Sequence, residues 1–282
     1  MTNVFVSIDM EGVAGVAALR QVWRGSDDFP TARRLMTAEA NAAVEGAFEG
    51  GAASVVVNDS HGDMENLLPD EMDSRAELLI GTPKVWSMMQ GFGPEFDVAL
   101  FVAYHAGVGT EAAVMDHTYS GRLLYEVRVN FEPWTEADLN AALAGTYGVP
   151  VGLVTGDDKA CAQAAKRLPG VRTVVVKEGF GRGVAKSMHP SAACEAIRRG
   201  AAEAVAAATS GELEPFRTEP PYVLDADIVN TSAAELCSMV PGVTRVGPRT
   251  VRFESTDFRE AFRCLLTWTY VGASEAPRYA GT

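Results

Sequence analysis

Residues 4–8 (VFVSI) and 53–58 (ASVVVN) are short β-branched runs, and one long helix-forming stretch, 31–51, lies between them. This arrangement limits the fold more than any other feature of the chain. Strands joined through a helix of that length pair in parallel, with a right-handed crossover. The stretch is rich in Ala, Leu and Glu, repeats apolar residues at helical spacing, and ends in Gly50-Gly51, which suits a C-cap. The rhythm continues through VALFVAY (98–104), VPVGLVT (149–155), the helical DDKACAQAAKRLPG (157–170) and RTVVVK (172–177). It predicts a three-layer α/β/α unit around a largely parallel sheet, spanning residues 1–210.

The segment 211–221, GELEPFRTEPP, carries three prolines and reads as a linker. Beyond it the alternation stops. PPYVLDADIVN and VTRVGPRTVRFES read as strands, the second a hairpin about Gly247-Pro248. STDFREAFRCLLTWTYVG reads as a closing helix capped by Ser255 or Thr256. These elements predict a smaller C-terminal α+β portion, residues 218–282.

Function is bounded first by charge. With 24 basic and 37 acidic residues the net charge is −13, which excludes nucleic acid and anionic membrane as main partners. The start, MTNVFVSID, has neither a basic n-region nor a long apolar h-region, and no apolar run reaches the roughly 18 residues of a membrane span. Cys161, Cys194, Cys237 and Cys264 are scattered singly, unlike a zinc knuckle or a disulfide framework, so a reducing cytoplasm is expected.

Chemistry concentrates where strands end. The first strand runs into Asp9 and Glu11, the second into Asp59 and His61 (NDSHGD), the third into His105 (AYHAG). In a parallel sheet the carboxyl ends of neighbouring strands share one edge, where ligands bind. One acid pair is commonly a turn feature, and one histidine after a strand is commonly structural. Three successive strands ending this way point to a divalent transition metal held by Asp9, Glu11, His61 and His105. A cation also explains why two carboxylates share one strand end, since like charges otherwise raise each other's pKa.

Other motifs carry less. His117, in VMDHTYSG, is a further ligand, an acid/base group or a plain loop residue. His189 precedes Pro190 at a helix start and reads as a boundary residue. GDD (156–158) reads as a helix cap. GFGRGVA (179–185) has Val184 where a dinucleotide fingerprint needs glycine, and reads as a loop. Glu136, in WTEADLNAALAG, reads from its own context as a first-turn helix acid behind a Thr135 cap.

SIDMEG, NDSH, AYHAG, VMDHT and TEADLNAALAG occur in that order, with GDD and VPGV also in place. As an ordered set they resemble the zinc-dependent D-aminopeptidases of the dipeptide-operon type. The resemblance implies two zinc ions per subunit, with Asp9 bridging them, Glu11 and His61 completing one, and His105 and Glu136 holding the other. It implies that His117 is the catalytic group, as nucleophile or base. It also implies a small peptide as substrate and a homo-oligomer, a decamer with its active sites facing an internal chamber. Two other classes compete. One is another dinuclear-metal hydrolase, an amide hydrolase or a phosphoesterase, for which Lys84 is the lone phosphate-binding candidate. The other is a non-catalytic cytoplasmic dipeptide- or metal-binding protein.

Overall fold

The computed structural model describes residues 1–275. Residues 276–282, the end of the expected C-terminal portion, lie outside the described residues. The first half contains β1 (Thr2–Ile8), α1 (Phe29–Glu49), β2 (Ala52–Asp59), β3 (Glu77–Leu79), β4 (Val98–Tyr104), β5 (Leu124–Val129), β6 (Glu132–Pro133) and α2 (Glu136–Thr146). Next come β7 (Val151–Asp157), α3 (Asp158–Arg167), β8 (Arg172–Gly181), β9 (Val184–Ser187) and α4 (Pro190–Ser210). The last elements are β10 (Tyr222–Ile228), α5 (Thr231–Ser238), β11 (Val243–Arg245), β12 (Thr250–Ser255) and α6 (Phe258–Ala273).

The main sheet has the order β3-β2-β1-β4-β7-β8-β9, parallel except for its last pair. A second, antiparallel sheet has the order β11-β12-β10-β5-β6. Period-two alternation sorts the core into two faces. Val4, Val6 and Ile8 pack with α1 and α4 on one side. Phe5 packs on the other, in a cluster shared with α2 and α6. This is the three-layer unit with an added α+β portion that the sequence predicts. No helix among the described residues is long and apolar enough to cross a membrane, and the four cysteines are unpaired.

Several sequence expectations change in detail. GFGRGVA is not a loop: β8 runs through Gly179 to Gly181 and returns as β9, because glycine weakens a strand without forbidding pairing. The cap of α6 is Asp257, whose carboxylate accepts from Arg259 N–H at 2.9 Å, while Ser255 Oγ accepts from Asp257 N–H. Asp caps as well as Ser and stands two residues nearer the helix than Ser255. The fourth expected strand starts at Val151 and runs to Asp157. Gly51, at φ +98, closes α1 as expected. Asp157 caps α3 and His189 caps α4, both in line with the sequence.

One irregularity at the sheet edge matters for the site. Between β4 and β7, Val102 and Ala103 face Thr155 alone, a β-bulge with Ala103 at φ +57. It brings Tyr104 onto the same face as Phe101, three residues earlier, where their rings stack at 4.9 Å. A regular strand would put them on opposite faces. The turn after β1 rests on this bulge: Asp9 N–H donates to Val102 O (3.0 Å) and Gly12 N–H to Ala103 O (2.8 Å). A Cβ on Gly12 would collide with the backbone of Ala103 and Tyr104.

Gly12→Ala should therefore destabilise the protein by about 1–3 kcal/mol, the usual cost of overpacking a rigid site. Gly183→Ala, where a Cβ meets nothing within 4 Å, should change stability by less than about 0.5 kcal/mol. Urea midpoints of the two variants check this, and equal midpoints would show that the bulge yields.

Candidate metal centre

The order β2-β1-β4 brings the three strand ends of the sequence argument side by side. Asp9 leaves the middle strand, Glu11 follows in its turn, His61 leaves β2 and His105 leaves β4. Glu136 enters from the first turn of α2, where Thr135 and Asp138 form a reciprocal capping box. The capping and site readings of this helix start thus hold together. All five side chains are buried, Asp9 and His105 at 3% exposure and His61, the most open, at 9%.

Each histidine of the cluster has one nitrogen beside a backbone carbonyl, to which its N–H donates. His61 Nε2 is 2.9 Å from Val22 O, His105 Nδ1 3.0 Å from Ala106 O, and His117 Nδ1 2.8 Å from Met115 O. The other nitrogen turns to the carboxylates. His61 Nδ1 lies 2.8 Å from Glu11 Oε2 and 3.2 Å from Asp9 Oδ1. His105 Nε2 lies 3.4 Å from both Asp9 Oδ2 and Glu136 Oε1, and has no hydrogen-bond partner although it is buried. Holding a ligand imidazole by its far N–H to a carbonyl is how proteins fix the tautomer of a metal-binding histidine. The orphaned Nε2 of His105 and the three buried carboxylates fit a cation.

Asp9 is central. Its Oδ1 faces His61 while its Oδ2 faces His105. Donor atoms of Asp9, Glu11 and His105 lie within 4.8 Å of one another, as do those of His105, His117 and Glu136. Two donor groups therefore share His105, with Asp9 between it and the Glu11–His61 pair.

The electrostatics follow from crowding. Burial, then the Glu11 carboxylate, push Asp9 up to about 7. Burial opposes charge on Glu11 as well, but His61 outweighs it and holds Glu11 well below the usual carboxylate range. Burial disfavours a charged His105, yet Glu136, Asp9 and Glu11 together lift it to about 10. His61 is raised well above its usual value against the same burial, by Glu11 and Asp9. His117 goes the other way: burial, then the neighbouring His105, lower it. Its ring stacks on His105 at 3.9 Å and 10°, its Nε2 lies 3.8 Å from Glu136 Oε1, and its side chain keeps 20% exposure.

Residues beyond the sequence reading complete the surroundings. Tyr119 N–H donates to Glu136 Oε1 at 2.5 Å, and Asn140 joins the hydroxyls of Tyr119 (2.6 Å) and Tyr104 (2.9 Å). Asp157 and Arg182 hold the segment that carries His117, through Val114 N–H and Met115 N–H. Asp59 is a turn organiser, accepting from the N–H groups of Asn66 and Leu67. Lys84 donates to Asn58, Asp59 and Leu79 oxygens inside the protein, which takes it away from the phosphate role. Tyr119 carried no periodic or motif signal. Lys177 follows the apolar run Val174–Val176 in β8.

A family profile of D-aminopeptidases matches residues 2–267. The chain is 34% identical over 271 residues to a D-aminopeptidase of Bacillus subtilis (strain 168), covering 95% of this chain and 96% of that one. It superposes with a TM-score of 0.89 and 33% identity on the solved structure of the zinc-dependent D-aminopeptidase DppA from Bacillus subtilis, a self-compartmentalizing protease, covering 96% of this chain and 98% of that chain.

Metal-free protein should become less stable as pH rises from 6.5 to 8. The folded state holds a proton on Asp9 up to about 7 and on His105 up to about 10, whereas the unfolded chain releases them near 3.8 and 6.5. Up to about pH 8, where the buried Lys84 and Lys177 begin to lose protons and oppose the trend, the folded state thus binds more protons and stability falls with pH. Zinc takes the place of those protons, so the thermal midpoint of zinc-saturated protein should lose this slope. Midpoints measured with and without chelator check it, and a flat metal-free profile rejects the protonated cluster.

Proposed function

The chain belongs to the D-aminopeptidase family, and we propose that it hydrolyses the N-terminal peptide bond of short peptides, D-residue-containing ones among them, at two zinc ions per subunit. The observation that carries this reading is Asp9, whose two oxygens face two different histidines from the middle of the cluster. Asp9 would bridge the ions, Glu11 and His61 would complete one position, and His105 and Glu136 the other. Three buried carboxylates against neutral imidazoles leave about three negative charges, which two divalent cations and a hydroxide balance. Bound zinc supplies a polarised carbonyl and a water whose pKa falls towards about 7.

The remaining chemistry belongs to side chains. The free α-amine of a peptide would ligate one of the ions or meet a site carboxylate, which selects the N-terminal bond. His117 is held neutral by burial and by His105, with Nδ1–H on Met115 O and Nε2 free. That nitrogen takes a proton as base and returns it to the leaving amine. The self-compartmentalization of the Bacillus subtilis relative supports a homo-oligomer for this chain as well, and a decamer is the assembly proposed.

The test is hydrolysis of D- and L-aminoacyl p-nitroanilides and dipeptides by zinc-loaded and chelated protein. Zinc-dependent release from D-aminoacyl substrates is expected. Absence of turnover on every amide, with metal bound, leaves a binding protein instead.

Asp9→Ala should lose both ions in elemental analysis, while Glu136→Ala should lose chiefly one. Retention of one ion at full affinity in Asp9→Ala contradicts a bridge. His117→Ala should keep both ions while kcat falls by about 10²-fold or more. A ligand role for His117 is the second reading, favoured by its place in one donor group with His105 and Glu136. Loss of an ion from His117→Ala selects it.

A further inference from the structure

Lys177 and Lys84 are buried to 2% and 4% exposure, and the ammonium groups of both are fully used. Lys177 Nζ, midway along β8, donates to the carbonyls of Glu11, Val13 (2.9 Å) and Val16 (2.6 Å). Lys84 Nζ donates to Asn58 Oδ1 (2.8 Å), Asp59 O (2.6 Å) and Leu79 O (2.9 Å). A lysine has three donors, and each of these meets three oxygens that carry no net charge. Carbonyl oxygens converging on one point repel one another, so the gathered backbone needs a cation at its focus.

The gathered segments are the turns that carry two of the ligands. Lys177 binds the carbonyl of Glu11 itself and closes the loop 11–16 around its ammonium. The opposite side of that loop is held by Ala14 N–H, which donates to the buried carboxylate of Glu39 at 2.7 Å. Lys84 binds the carbonyl of Asp59, two residues before His61. The other half of the site is built differently, from a capped helix and the Tyr119 N–H.

We propose that Lys177 and Lys84 are positioning residues for the metal position of Glu11 and His61, internal cations that shape its two ligand turns and leave the His105–Glu136 position untouched. This rests on the two-ion reading above. A role in general packing would weaken the whole fold without favouring one position, and this difference makes the proposal testable.

Zinc affinity is measured by chelator competition for Lys177→Met placed in two backgrounds. In Glu136→Ala the Glu11–His61 position remains, and in Glu11→Ala the other remains. Removing a group that orients metal ligands typically costs about 10–100-fold in affinity. That loss is expected in the first background only, with faster amide exchange at Ala14 and Val16 in metal-free protein. Lys84→Met should repeat the pattern, and Lys177→Gln, which keeps donors without charge, should fall between. If Lys177→Met does not fold, Lys177→Gln and Lys84→Met carry the same comparison. Equal weakening in both backgrounds, or in neither, overturns the positioning role alone. Wild-type protein that binds no zinc overturns the two-ion reading together with this proposal.

Discussion

The repulsion among three buried carboxylates, those of Asp9, Glu11 and Glu136, governs the construction of this protein. In a medium of low effective dielectric such a group is tenable only if opposite charge or directed N–H groups surround it. The chain answers at several distances. Met10 N–H meets Asp9 at 2.9 Å and Tyr119 N–H meets Glu136. His61 and His105 turn a nitrogen to the acids, and in the metal-free state both rise in pKa as a result. Lys177 stands one step back, behind the carbonyl of Glu11. Histidine protons only partly offset the repulsion, since Asp9 still moves up to about 7. Divalent cations resolve the crowding more completely, and the carbonyl-anchored tautomers are already arranged for them.

The place of Asp9 between His61 and His105 follows from topology. Because β1 lies between β2 and β4, a ligand at its end has a neighbour strand on each side. One carboxylate oxygen meets the histidine of each flank. An edge strand could offer its acid to one flank only. The bulge in β4 adds the vertical adjustment, since it supports the Asp9–Gly12 turn while re-aiming the chain that leads to His105. Bulges placed beside active sites commonly serve to re-aim a side chain.

This division explains what could be read from the residues alone. Period two in VFVSI and VALFVAY, and the long helix between strands, express burial directly, so the parallel sheet and the convergence of Asp9, Glu11, His61 and His105 were legible. Glu136 was not, because its signal as a first-turn acid is the same whether or not it faces a cluster. The bulge was hidden as well: Ala103 at φ +57 is a tertiary compromise, and alanine carries no mark of it. Strand β5 escaped notice because it pairs with β10, almost a hundred residues away, and the two-residue β6 pairs only with β5. The GFGRGVA hairpin was obscured by its glycines, which hid the pairing that anchors the His117 segment.

His117 differs from the other two histidines in physical setting rather than in residue type. It keeps partial exposure and stacks on His105, and two parallel imidazoles at 3.9 Å disfavour sharing positive charge. Whatever takes up the His105 Nε2 lone pair, proton or cation, therefore presses His117 towards its neutral form. A neutral imidazole with one nitrogen tied to Met115 O has a single free lone pair, and its direction is set by that bond. The same positive charge that makes the buried carboxylates tenable thus keeps the adjacent histidine unprotonated at the open side of the cluster. Stability and reactivity at this edge of the sheet come from one electrostatic arrangement.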